Sequence, residues 1–128
     1  MSALVIWMTT EEARLFHIDT DRINVERVHY HGPQHHDEVL GKNHPIHQTD
    51  EERFYRQLIE NLKTDPTEKW LLMGPSFGAL HFSCFLQRHF PEFHKRIIGL
   101  EKVDKMPDSE ILSMGRKFLQ KYYLYHTA

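Results

Sequence analysis

The chain opens on a continuous apolar run, Ala3-Leu4-Val5-Ile6-Trp7-Met8. A run this short and this rich in Val, Ile and Trp predicts a strand over residues 3–9, buried on both faces, rather than a helix. Thr9-Thr10-Glu11-Glu12 supplies a polar turn. Residues Ala13 to Ile18 mix apolar and polar positions as a second strand, which the turn cluster Asp19-Thr20-Asp21-Arg22 closes. Between Ile23 and Tyr30 an imperfect alternation predicts a third strand, and three strands joined by short turns most economically form an antiparallel meander.

Residues 31–48 break both periodicities. His31-Gly32-Pro33-Gln34-His35-His36 and His44-Pro45-Ile46-His47 hold the glycines, prolines and histidines of a long loop, a kind of segment that is often functional or disordered. Thr49-Asp50-Glu51-Glu52 then reads as a capping box. Phe54, Tyr55, Leu58, Ile59 and Leu62 follow as one apolar helical stripe that Asp65-Pro66 ends. Trp70-Leu71-Leu72-Met73 predicts a short buried strand. The turn Gly74-Pro75-Ser76, with Ser76 as the cap, leads into a helix carrying Leu80, Phe85, Leu86 and Phe90, and Pro91 stops or redirects it. Ile97-Ile98-Gly99-Leu100 with Val103 makes the next strand, and Asp108 caps a last helix through Ile111, Leu112, Gly115, Phe118, Leu119 and Tyr122. Three antiparallel strands followed by two strand-helix units predict an α/β fold over residues 1–128. This is the arrangement of a single ribonuclease H-like domain, a mixed five-stranded sheet flanked by helices.

Composition narrows the function. With 128 residues and 40% apolar content, the chain supports one core. A formal net charge of -2 excludes the strong basic field of a generic nucleic-acid binder, so any nucleic-acid contact must be local. The single cysteine, Cys84, has no internal disulfide partner and falls in an apolar helix as a small core residue, which suits a reducing, cytoplasmic setting. The opening apolar run is far shorter than the roughly 20 residues that span a bilayer, so no membrane partner is expected.

Histidine is the compositional anomaly: eleven are present, six of them between His29 and His47. His29 and His31 are two apart and share a face of an extended segment. His44 and His47 are three apart, so His29, His31, His44 and His47 together could supply imidazoles to zinc or nickel. The same loop could instead stack on RNA bases and bind phosphate, more strongly in mild acid, or simply stay solvated. A modest basic cluster, Arg88, His89, Lys95 and Arg96 with Lys102 and Lys105, is either a solvated face or a phosphate-contact patch. Tyr122-Tyr123-Leu124-Tyr125 leaves homodimerisation open, with core packing the expected role of Tyr122.

Several of these segments carry a family likeness. Val5-Ile6-Trp7, Glu12-Ala13-Arg14-Leu15-Phe16, the histidine-rich stretch, Leu72-Met73-Gly74-Pro75 and Ile97-Ile98-Gly99-Leu100-Glu101 with Val103-Asp104 resemble the small bacterial "translational machinery" proteins. That group is similar to the middle domain of the eukaryotic and archaeal peptide-chain release factor and its paralogue Pelota. The likeness runs over nearly the whole chain. It implies a non-catalytic, translation-associated binding protein whose partner is the ribosome, ribosomal RNA or another translation factor. The residues expected to make that contact are His31, Gln34, His35, His36, Lys42, Arg88, Lys95 and Arg96.

Two departures weigh against catalysis. Where the release factor carries Gly-Gly-Gln, this chain has Gly32-Pro33-Gln34, and Pro33 fixes its own backbone angle, lacks an amide hydrogen and restricts Gly32. Met8 follows Trp7 where many relatives are acidic, so the first strand lacks the carboxylate that two-metal nuclease chemistry needs.

Overall fold

Neither face of the first strand, β1 (Ala3–Met8), reaches solvent, because every one of its side chains is buried. In the computed structural model, which describes residues 3–18, 23–29, 50–62 and 68–127, β1 is the centre of a five-stranded sheet. Residues 124–127 are described by their backbone alone. Strands β2 (Glu12–Ile18) and β3 (Ile23–His29) extend the sheet on one side, and β4 (Lys69–Gly74) and β5 (Ile97–Lys102) on the other, giving the order β3-β2-β1-β4-β5. The β1-β2 and β2-β3 pairs are antiparallel and the β1-β4 and β4-β5 pairs parallel, which is the expected mixed sheet.

The period-two geometry of β1 divides its residues between two cores. Leu4, Ile6 and Met8 pack with Leu15, Trp70 and Leu72 under helices α1 (Asp50–Glu60) and α2 (Gly78–His89). Val5 and Trp7 pack with Phe16, Leu71 and Met73 on the opposite face, under Ile111 and Leu119 of helix α4 (Asp108–Thr127). The Trp7 indole Nε1–H donates to the Val103 carbonyl at 3.2 Å, which joins β1 to the segment leading into α4. Pro91 redirects the chain as expected: α2 ends at His89, and a single turn, α3 (Pro91–His94), carries it to β5.

Where β1 and β4 end, the chain has no room for side chains. A Cβ on Gly74 would lie 2.3 Å from the Met8 carbonyl oxygen, and one on Gly78 would lie 2.6 Å from the Thr9 carbonyl carbon. These two glycines let α2 begin directly against the β1-β2 turn, whose amides at Glu11 and Glu12 donate to the Thr9 hydroxyl.

Four expectations need correction. Ser76 does not cap α2: Phe77 is the residue at the cap, and no side chain bonds there. Asp108 is the first residue inside α4, and its carboxylate accepts hydrogen bonds from Arg14 and Arg27. Cys84 is exposed, because it falls on the outer side of α2 while Phe82, Phe85 and Leu86 face the sheet. Leu80 is exposed as well. Of the C-terminal tyrosines, Tyr123 packs against the second core, and Tyr122 is half-buried with its ring edge-on to Tyr123.

Leu72→Ala, at a fully buried position, is expected to lower the unfolding free energy by about 2–5 kcal/mol in urea titrations, whereas Leu80→Ala stays within about 0.5 kcal/mol of the parent. Gly78→Ala is expected to cost about 1–3 kcal/mol by the same measurement, since the new methyl meets backbone that cannot swing aside.

Candidate functional site

The segment from residue 30 to residue 49 leaves the sheet at His29, the last residue of β3, and rejoins it at Asp50, the first residue of α1. The predicted residues His31, Gln34, His35, His36, Lys42, His44 and His47, together with Thr49 of the capping box, lie in this segment and outside the described residues. The structure does describe the two points at which the segment is fastened, and a carboxylate organises each one.

At the point of return, Glu51 sits in the first turn of α1. The Tyr55 hydroxyl, one turn on, donates to Glu51 Oε1 at 2.7 Å and lies 3.3 Å from the Gly78 carbonyl oxygen. His81 Nδ1 of α2 lies 2.5 Å from the same Glu51 oxygen. The spacing of four between Glu51 and Tyr55 puts both on one helical face. The tight seating of Gly78 brings α2 close enough for His81 to complete the cluster. Burial by itself would raise the Glu51 pKa, but the hydrogen bonds from Tyr55 and His81 and the charge on His81 outweigh it and hold the carboxyl below its usual 4.5. Burial, then the bond to Glu51 and its charge, push the Tyr55 phenol well above its ordinary value, so its hydroxyl remains a donor. Tyr55 is also wedged between the rings of Phe82 and Phe85, at centroid distances of 5.2 and 5.5 Å. Beside this cluster Glu52, Cys84 and Arg88 complete the lining of an open hollow of about 270 Å³.

At the point of departure, His29 Nδ1 lies 3.8 Å from Glu12, which also pairs with Lys105 at 3.7 Å. Next to it the β2-β3 register sets Arg14 directly opposite Arg27. Like charges facing each other across strands repel, and Asp108 resolves this by accepting from both guanidinium groups, at 3.0 Å from Arg14. Arg14 also donates to the Met106 carbonyl at 2.8 Å and lies 4.8 Å from the Trp7 ring centre, so a mostly buried guanidinium shares its Nη1 between two acceptors and sets its charge against an indole.

The basic cluster expected from the sequence does not form one patch. Arg88 faces Glu51 and Glu52 across the hollow at α1. Arg96 lies over the rings of Trp70 and Phe93, at 5.5 and 5.0 Å, and so contributes to packing. Lys95 is exposed at the end of α3, Lys102 borders a separate hollow with Phe77 and Leu100, and Lys105 belongs with Glu12. Of the four predicted metal ligands only His29 is described, and among the described residues no three His, Cys, Asp or Glu side chains come together as a metal site. No helix among them is long and apolar enough to cross a membrane.

The groupings of Glu51, Tyr55 and His81 and of Arg14, Arg27 and Asp108 were not expected from the sequence. Glu51 and Tyr55 stand at helical spacing and were open to detection, and a lone arginine inside the apolar stretch Ala13-Arg14-Leu15-Phe16 signals a buried charge in need of a partner. Nothing local to either stretch names His81 or Asp108, which lie 30 and 94 residues from their partners.

No protein-family model matches the chain, and neither does any curated protein. Solved structures do match in fold. Pelota from Archaeoglobus fulgidus superimposes with a TM-score of 0.63 at 11% identity, over 91% of this chain and 31% of that one. Pelota from Thermoplasma acidophilum gives 0.59 at 17% identity, over 85% and 30%. The archaeal translation termination factor aRF1 gives 0.56 at 12% identity, over 97% and 40%. This chain therefore spans about a third of the length of the proteins it matches, and at these identities the likeness is one of fold.

Proposed function

We propose that the chain is a single ribonuclease H-like domain that binds the translation machinery, the ribosome or a translation factor, through the histidine-rich segment 31–48. The observation that carries this reading is that a termination factor and two Pelota proteins share the fold over 85–97% of this chain. The way the segment is held agrees with it. A segment carrying six histidines with its flanks leaves beside Glu12, which lies 3.8 Å from His29 and 3.7 Å from Lys105, and returns at Glu51, which engages Tyr55 of α1 and His81 of α2. Fixed ends reduce the conformational freedom that a segment loses on binding.

The reading concerns binding and not catalysis. Gln34 follows Pro33, whose fixed backbone angle differs from the permissive glycine of a release motif. The β1 strand supplies only apolar side chains to the sheet, where a two-metal nuclease needs a carboxylate.

With alanine at His31, His35, His36, His44 and His47, co-sedimentation with ribosomes at low salt is expected to fall by about tenfold or more, while the unfolding midpoint stays that of the parent. Retention of full ribosome binding by this variant, or absence of the parent protein from the ribosome pellet at every salt concentration, would sink the proposal.

The fastening at Glu51 has a pH signature. A carboxyl whose pKa is lowered by folding contributes stability that is fully present above its unfolded value and is lost as pH falls through the folded one. Glu51→Gln is therefore expected to be less stable than the parent at pH 7, and the gap is expected to close as the pH falls below about 4.5 in urea titrations. A gap that is constant down to pH 3 would show that Glu51 acts through packing instead.

A further inference from the structure

The corner where β2, β3 and the first turn of α4 meet carries its charges in two layers. The inner layer is acidic: the side chains of Glu12 and Asp108 are 25% and 32% exposed. The outer layer is basic: Arg27, His29 and Lys105 are 50%, 57% and 66% exposed. Each carboxylate engages two of the basic side chains, Asp108 holding Arg14 and Arg27 and Glu12 approaching Lys105 and His29. Arg14, Arg27, Lys105, Asp108 and Ser109 line an open hollow of about 500 Å³ between them. Arg14, Arg27 and Lys105 outnumber the two carboxylates in a chain whose total charge is -2, so this corner stands apart from the average surface.

We propose that this corner is a binding site for the phosphate groups of RNA. A phosphodiester seated in the hollow accepts hydrogen bonds from the Arg27 guanidinium and the Lys105 ammonium. The Ser109 hydroxyl and the positive end of the 20-residue helix α4 stand beside it. The half-buried carboxylates hold the long cationic side chains in place before the ligand arrives, which lowers the ordering cost of binding. His29 closes β3 within this corner, so the chain enters the histidine segment from the rim of the site. Guanidinium groups on facing strands fit the oxygens of a phosphate as they do those of a carboxylate, and the translation-binding reading makes RNA the polyanion at hand, in preference to an acidic peptide. The inference rests on the translation-binding reading and gives it a contact surface distinct from Arg88, Lys95 and Arg96.

The test measures anisotropy of a fluorescent single-stranded RNA 12-mer, together with ribosome co-sedimentation, over a potassium chloride series. The proteins compared are the parent, Lys105→Glu, Arg27→Gln and, as a charge control at an exposed position farther along α4, Lys121→Glu. Lys105→Glu and Arg27→Gln are each expected to weaken RNA binding by about threefold to tenfold at low salt and to reduce the slope of log affinity against log salt by about 0.7, whereas Lys121→Glu leaves both unchanged. Arg27→Gln also removes a partner of Asp108, so Lys105→Glu, whose contact with Glu12 is long and exposed, provides the variant that leaves the fold intact. Equal loss in Lys121→Glu, or an unchanged slope in Lys105→Glu while the parent still binds ribosomes, overturns this site and leaves the translation reading standing. Loss of 12-mer binding in Lys105→Glu from a parent that never sediments with ribosomes supports the site and removes the translation reading. A parent that binds polyglutamate more tightly than the 12-mer identifies an acidic protein partner and overturns the RNA assignment.

Discussion

The whole architecture depends on burying β1 on both faces. Six consecutive apolar residues in a strand leave no solvated side, so an antiparallel meander alone cannot be stable with β1 at its centre. Helices must cover each face, and the chain provides α1 and α2 on one side and α4 on the other. Once β4 pairs parallel to β1, a crossover is required between them, and the histidine segment and α1 both lie on that crossover. The segment that the functional reading singles out is thus part of a connection the sheet cannot do without.

That connection joins the edge strand β3 to α1, which covers one face of the sheet. Each end of the histidine segment is stabilised by a carboxylate shared between elements distant in sequence: Glu12 with His29 and Lys105, and Glu51 with Tyr55 and His81. Exposed ion pairs contribute little stability singly. Their effect here is geometric: Glu51 joins Tyr55 of α1 to His81 of α2, and Glu12 lies within ion-pair distance of His29 of β3 and of Lys105, so the residues that flank the segment are set against the packed body.

Asp108 shows how a local rule can be overridden by tertiary need. At the start of a helix, an aspartate ordinarily serves the helix's own amides. Here Arg14 and Arg27 face each other across two strands, and the Asp108 carboxylate accepts from both guanidinium groups instead. The same contact ties α4 to the β2-β3 ribbon and leaves cations outermost at the corner.

What the sequence by itself determined is the set of elements and their class. Continuous apolarity in Leu4 to Met8 and in Trp70 to Met73, the stripe through Phe54, Tyr55 and Leu58, and the break at Pro91 are local signals, read through strand and helix periods that do not depend on the rest of the chain. Their order then restricts the sheet to few topologies. The tertiary structure alone decided which charges meet. Arg88, Lys95, Arg96 and Lys105 are neighbours or near-neighbours along the chain, yet α2, α3 and the approach to α4 point them at different surroundings, while Asp108 comes to Arg14 across 94 residues. Cys84 was misread although its face was legible: Ala79, Phe82, Phe85 and Leu86 stand at helical spacing on the buried side of α2, and Cys84 falls off that stripe. Periodicity is encoded within a few residues, whereas electrostatic partnership depends on distances that exist only after the sheet and its covering helices have closed.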